Sequence, residues 1–128
     1  MMNILLDTHA IKWFFDGDER LSQSAIDAIC HYENDVYVSV ASLWEVAIKL
    51  SIGKLQVNGG IDKFIEAVYE NGFILLDVAP EHISTVTKLP FIHRDPFDRM
   101  LVAQALIGDM AIITVDPNIK GYNVTTIW

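Results

Sequence analysis

The stretch DPFDRMLVAQALIGDMAIITV, residues 95–115, combines a helix signal with a strand signal. Asp95 stands at an N-cap position and Pro96 at the first helical position, and apolar residues then recur at helical spacing up to Gly108. The apolar run over residues 111–115 has the length and composition of a strand that is buried on both faces. A helix that leads into such a strand indicates an α/β fold with a parallel sheet.

The same alternation of strand and helix signals extends through the rest of the chain. Short apolar runs predict four more strands, over residues 3–6, 36–40, 73–78 and 124–128. Helical spacing predicts helices over residues 22–32, 43–52, 61–69 and 80–89, and another that begins at Thr8 or His9. This order predicts one domain, residues 1–128, built as a three-layer α/β/α sandwich around a mostly parallel sheet of about five strands.

Composition excludes several classes of protein. The chain has 128 residues, of which 52% are apolar and 20% charged, so a disordered chain is excluded. Its single cysteine, Cys30, excludes a disulfide framework and a multi-cysteine zinc site, and fits the reducing cytoplasm. No apolar run approaches the ~18 residues of a membrane span, and Asp7 interrupts the N-terminus too early for a signal peptide. The formal net charge of -8 argues against a broad basic surface for nucleic acid.

Acidic residues fall at the ends of predicted strands and the starts of predicted helices. Asp7 ends the first strand and Asp116 ends the fourth. Glu45 lies near the start of the helix after the second strand, and Asp98 lies in the first turn of the helix before the fourth strand. Ligands of open α/β sheets bind at the carboxyl ends of the strands, so we expect all four acids to converge there.

Each of these acids also has a purely structural interpretation. Asp7 and Asp98 suit the first turn of a helix, Ser42 and Glu45 match the S-x-x-E capping box, and Asp116 precedes a proline in a turn. Four acids at one edge, however, raise one another's pKa and destabilise the fold unless a cation compensates. Oxygen ligands without a His or Cys cluster indicate Mg²⁺ or Mn²⁺ and not Zn²⁺.

Four stretches occur in an order and at a spacing that identify a family. They are LLDTHAIKW at residues 5–13, SVASLWEVAIK at 39–49, HRDPFDRMLVAQA at 93–105 and ITVDPNIKGY at 113–122. They resemble the motifs of PIN-domain ribonucleases, in particular the VapC-type toxins of toxin–antitoxin pairs. The resemblance covers essentially the whole chain.

The resemblance implies a metal-dependent endoribonuclease that hydrolyses RNA phosphodiester bonds. Asp7, Glu45, Asp98 and Asp116 are then the catalytic metal ligands for one or two Mg²⁺ or Mn²⁺ ions, and Thr8 supports them. Asp95 is an N-cap and not a ligand. The resemblance also implies a cognate antitoxin and a homodimer.

Other residues near the predicted site receive weaker predictions. Arg94 and Arg99 flank Asp98 and are candidates to hold the RNA backbone, although Arg99 also suits a solvated helix face. His93 is isolated in the sequence, which favours a surface or capping role. The aromatic residues at helical spacing favour packing; they are Trp13, Phe14, Phe15 and Trp44.

The alternative function is a non-catalytic PIN-like module that only binds another protein. The signature of such a module is a missing carboxylate, and each of the four predicted carboxylates is present.

Overall fold

The computed structural model describes residues 1–128 and contains five strands and seven helices. The strands are β1 (Asn3–Leu6), β2 (Asp35–Ser39), β3 (Ile74–Leu76), β4 (Ala111–Ile113) and β5 (Thr126–Ile127). The helices are α1 (Thr8–Asp16), α2 (Gln23–Cys30), α3 (Val40–Ser51), α4 (Gly60–Glu70), α5 (Pro80–Val86), α6 (Pro96–Gly108) and α7 (Pro117–Lys120). None of these helices is long and apolar enough to cross a membrane.

The five strands form one sheet in the order β3-β2-β1-β4-β5, and every pair is parallel. Strand β1 lies at the centre, where Leu5 is in register with Tyr37 of β2 and with Ile112 of β4. This sheet confirms the predicted α/β fold and the predicted number of strands.

Both faces of the sheet are buried, because successive side chains of a strand point to opposite sides. Ile4 and Leu6 belong to a core cluster with residues of α1, α2, α3 and α4. Leu5 and Ile112 belong to a second cluster with residues of α6 and α7, including Leu101. The helices therefore cover the sheet on two sides, which is the predicted three-layer arrangement.

Helix α3 begins earlier than the sequence predicts. It starts at Val40 and not at Leu43, because the side chain of Ser39 accepts a hydrogen bond from the amide of Ala41 at 3.1 Å and caps the helix. Ser42 consequently lies inside the helix, where its buried hydroxyl has no hydrogen-bond partner. The capping box expected between Ser42 and Glu45 does not form.

Helix α6 ends on a glycine that is not its left-handed cap. Gly108 is its last residue, and the left-handed position beyond the helix is occupied by Asp109, with φ 52°. Aspartate tolerates this conformation better than most residues because its short side chain can bond locally. The short helix α7 was expected only as a turn.

Three of the four aromatic residues pack as predicted. Phe14 and Phe15 contact the ring of Phe73, and Trp13 packs against the same core cluster. Trp44 differs because it remains 63% exposed, with its ring set edge-on to Phe97 at 5.5 Å.

Candidate metal centre at the carboxyl edge of the sheet

Asp7 follows β1 directly and is fixed by the start of α1. Its amide donates a hydrogen bond to the carbonyl of Ile113 in β4 at 3.2 Å, and its Oδ1 accepts from the amide of Ala10 at 2.8 Å. The residue is only 5% exposed. The helix-capping interpretation of Asp7 is therefore correct, but it occupies only one of the two carboxylate oxygens.

Asp116 is fixed in the same way beyond β4. Its Oδ1 accepts from the amide of Asn118 at 2.8 Å, which caps α7, and its amide donates to the hydroxyl of Thr114 at 3.0 Å. Oδ2 of Asp116 then points to the neighbouring side chains of the site. Each turn thus holds one carboxylate rigidly through the backbone.

Asp98 lies in the first turn of α6, beside the residue that caps this helix. The cap is Asp95, whose Oδ1 accepts from the amides of Phe97 and Asp98 at 2.8 and 3.2 Å. Because α6 precedes β4 and runs antiparallel to it, the first turn of α6 lies at the carboxyl edge of the sheet. The predicted N-cap role of Asp95 is confirmed, and the side chain of Asp98 is left without a role in capping.

Glu45 reaches the site from α3 and is held by two partners. Its Oε1 accepts a hydrogen bond from the hydroxyl of Thr8 at 2.6 Å, and its Oε2 pairs with Lys49 at 2.9 Å. Glu45 and Thr8 are both buried. The contact ties α1 to α3 and fixes Glu45 against Thr8, the residue that follows Asp7 in the chain.

Burial and crowding disfavour the ionised form of two of these acids. Burial raises the pKa of Asp7 above its usual range, although hydrogen bonds from Thr114 and Ala10 oppose this. Burial, followed by the negative charge of Asp95, raises the pKa of Asp98 to about 7. His93 opposes this shift in the pKa of Asp98, and the negative charges of Glu45 and Asp7 add to it.

A cation at this edge would relieve the repulsion between the carboxylates. One polar side-chain atom from each of His93, Asp98 and Asp116 lies within 4.8 Å of the others, and the two carboxylates of this cluster are suitable for holding a metal ion. Carboxylate oxygens predominate in it, and hard divalent cations prefer such ligands.

His93 belongs to this cluster, contrary to the surface or capping role expected from the sequence. Its Nε2 lies 2.9 Å from Oδ2 of Asp116 and 3.0 Å from Oδ2 of Asp98, and only 12% of its side chain is exposed. The signals in the sequence are its place two residues before the N-cap Asp95 and at the start of the family stretch over residues 93–105. The fold was needed to bring Asp116 to the other side of the ring.

Arg99 is buried and does not suit the predicted contact with an RNA backbone. Its guanidinium donates to the carbonyls of Val86 and Pro90 at 3.0 and 3.1 Å and to the hydroxyl of Tyr122 at 3.1 Å. The group also stacks on the ring of Phe91 at 4.4 Å. Arg99 thus holds the segment between α5 and α6 against the C-terminal part of the chain.

Arg94 is exposed and remains the candidate for RNA contact.

Substitution of the two arginines tests the structural role of Arg99, with Arg94 as the matched control. We expect Arg99→Ala to lower the free energy of unfolding by about 3 kcal/mol, because it leaves buried carbonyl groups without donors. We expect Arg94→Ala to change it by less than about 0.5 kcal/mol. Urea denaturation of both variants measures this difference, and equal stabilities would contradict the structural role of Arg99.

The match to a known family covers almost the full length of the chain. Residues 4–124 match the family model of the PIN domain. The chain belongs to the PIN domain family. This PIN domain is 25% identical over 132 residues to Ribonuclease VapC22 of Mycobacterium tuberculosis (strain ATCC 25618 / H37Rv), an alignment that covers 100% of both chains.

Solved structures share the fold of this PIN domain at low sequence identity. VapBC2 from Rickettsia felis, bound to a DNA fragment from its promoter, superimposes with a TM-score of 0.73 and 12% identity, covering 98% of this chain and 97% of that chain. A toxin–antitoxin complex from Klebsiella pneumoniae gives a TM-score of 0.68 and 14% identity, with coverages of 98% and 96%.

Proposed function

We propose that this PIN domain is a divalent-metal-dependent endoribonuclease that hydrolyses RNA phosphodiester bonds. The observation that carries the proposal is the cluster of the half-buried Asp98 and Asp116 at one edge of the sheet, with the buried Asp7 and Glu45 close enough to raise the pKa of Asp98 further, to about 7. A structural role alone gives no reason to crowd these charges. The similarity to a protein named ribonuclease supports the proposal.

The proposed metal ligands are Asp7, Glu45, Asp98 and Asp116, and the proposed ion is Mg²⁺ or Mn²⁺. When bound, such an ion supplies Lewis-acid stabilisation of charge on a phosphate group and activation of water for hydrolysis. The donor set fits this ion because it consists of carboxylate oxygens, which hard cations prefer.

The protein's contribution in this proposal is to hold the carboxylates in place before RNA arrives. Asp7 and Asp116 each give one oxygen to a backbone amide, so the other oxygen keeps a fixed direction. Thr8 and Lys49 hold Glu45 through its two carboxylate oxygens. Preorganised ligands of this kind avoid the cost of reorganisation when a charged substrate binds.

Cleavage of a mixed RNA pool, followed by sequencing of the new ends, tests this function. We expect the wild type to cleave RNA with Mg²⁺ or Mn²⁺ and cleavage to stop when the metal is chelated. The activity of Asp98→Asn should be lower than that of the wild type by more than about 100-fold, because loss of a group that only orients a metal ligand commonly lowers activity about 10–100-fold.

Asp95→Asn is the matched control for Asp98→Asn. It removes one carboxylate from the same turn, but asparagine caps a helix as well as aspartate does. We therefore expect Asp95→Asn to retain cleavage. Equal activity of the wild type and Asp98→Asn would contradict the metal site, and inactivity of every protein with every metal would favour the non-catalytic binding module.

The proposed partners are a cognate antitoxin and a second copy of the chain. The antitoxin proposal is supported by the similarity of this fold to a solved toxin–antitoxin complex. The homodimer is implied by the family resemblance. An apolar surface with a cavity of about 540 Å³ is compatible with such contacts; its lining residues are Val40, Ala41, Trp44, Val78, Ile83, Pro96, Phe97 and Met100.

A further inference from the structure

The imidazole ring of His93 is held on both of its nitrogen atoms. Nδ1 lies 3.2 Å from the backbone amide of Asp95, and Nε2 lies between Oδ2 of Asp98 and Oδ2 of Asp116. The backbone of His93 is fixed as well, since its amide donates to the hydroxyl of Tyr122 at 2.9 Å. The ring is therefore oriented by the start of α6 and by Asp116, and the backbone of His93 by Tyr122.

The contact with Asp95 determines which nitrogen of the ring carries the proton. A backbone amide is always a donor, so Nδ1 of His93 must be the acceptor in this contact. A neutral imidazole has one protonated nitrogen, which is then Nε2. Its N–H faces the carboxylates of Asp98 and Asp116, which are acceptors. Nε2 consequently has no lone pair to offer to a metal ion.

We propose that His93 is a positioning residue of the metal centre and not one of its ligands. Its Nε2–H holds one oxygen of Asp98 and one oxygen of Asp116 towards a common point. A carboxylate oxygen has two lone pairs, so each of these oxygens can accept this hydrogen bond and still face a cation. This role rests on the proposed metal-dependent function.

The need for such a donor follows from the charges around it. Asp98 and Asp116 carry like charges, and their oxygens meet on either side of a single N–H. Without this donor, repulsion would turn the side chain of Asp98 away from Asp116, and a cation would have to draw it back when it binds. Hydrogen bonds from neighbouring groups orient metal-binding carboxylates in this way.

Two substitutions separate the hydrogen bond from the imidazole itself. His93→Ala removes the donor. His93→Gln keeps a side-chain N–H at a similar distance from the backbone but lacks the imidazole nitrogen that binds metals.

Binding of Mn²⁺ alone, followed by the electron paramagnetic resonance signal of the free ion, measures the effect. We expect His93→Ala to bind Mn²⁺ about 10–100-fold more weakly than the wild type. We expect the affinity of His93→Gln to lie closer to that of the wild type. An unchanged or higher affinity in His93→Ala would overturn the proposal.

Two spectroscopic measurements do not depend on affinity. In the complexes with Mn²⁺, pulsed electron paramagnetic resonance detects imidazole nitrogens bound directly to the ion. We expect the wild type to show no such nitrogen signal that is lost in His93→Gln. In the metal-free protein, ¹H–¹⁵N spectra of the histidine rings should show the proton of His93 on Nε2. A bound imidazole nitrogen or a proton on Nδ1 would each overturn the positioning role.

The wild-type control distinguishes this proposal from the proposed function. If the wild type binds no Mn²⁺ and cleaves no RNA, the metal-dependent function fails and the role of His93 fails with it. If the wild type binds Mn²⁺ and cleaves RNA while His93→Ala binds it equally well, only the role of His93 is wrong.

Discussion

Metal-free Asp98→Asn protein is expected to be more stable than the wild type above pH 7, by roughly 2–4 kcal/mol. Burial and the charge of Asp95 raise the pKa of Asp98 to about 7 in the folded protein, whereas an unfolded aspartate has a pKa of about 3.9. Asparagine fills nearly the same volume without a charge, so the substitution removes the cost of burying the ionised group.

The sign of the pH dependence follows from the two pKa values of Asp98. Below about pH 4 the carboxyl is protonated in both states, and the two proteins should be equally stable in this respect. Between about pH 4 and pH 7 the unfolded carboxyl ionises before the folded one, so the wild type loses stability as the pH rises. The advantage of Asp98→Asn should therefore grow across this range and level off above pH 7.

Urea denaturation of both proteins at a series of pH values, with a chelator present, measures this advantage. Asp95→Asn is again the control, because it removes the charge of a neighbour and leaves Asp98 ionisable. It should stabilise the protein less than Asp98→Asn does. A variant Asp98→Asn that is less stable than the wild type above pH 7 would show that the carboxylate stabilises the fold.

Saturating Mg²⁺ or Mn²⁺ is expected to raise the unfolding midpoint of the wild type by roughly 10 °C. A ligand at 100 times its dissociation constant stabilises the folded state by about 2.7 kcal/mol, and a chain of this size gains a few degrees for each kcal/mol. The shift should be larger at pH 8 than at pH 5, because Asp98 must be deprotonated to bind a cation.

Differential scanning calorimetry with and without metal measures this shift. Asp98→Asn should lose most of it, although its metal-free form is expected to be the more stable one. The two proteins should therefore approach each other in stability when metal is added. An equal shift in both proteins would locate the metal elsewhere, and no shift in either at millimolar metal would exclude the site.

The fold, and the placement of Asp7 and Asp116 just beyond two of its strands, could be predicted because they depend on local patterns. The apolar runs have the length of buried strands, and a parallel sheet brings the residues at their carboxyl ends to one edge. Asp7 and Asp116 follow directly from this rule. The exact start of α3 could not be predicted, because Val40 and Ala41 suit both a strand and a helix, and either Ser39 or Ser42 can act as the cap.

The roles of His93 and Arg99 could not be predicted because their partners are distant in sequence. Arg99 contacts a carbonyl 13 residues before it and a hydroxyl 23 residues after it. His93 meets Asp116, which is also 23 residues away. The periodic pattern of one helix carries no information on such distant contacts. The position of Arg99 beside Asp98 therefore favoured a surface role, which the fold does not give it.

The position of β1 at the centre of the sheet has a consequence for how the sheet forms during synthesis. Asp7 leaves the ribosome early and Glu45 soon after it, but Asp98 and Asp116 come from α6 and the turn after β4. Strands β4 and β5, which form the sheet on one side of β1, are missing until that part has been translated. A nascent chain therefore cannot bring Asp7, Glu45, Asp98 and Asp116 to one edge of the sheet until residue 116 has emerged.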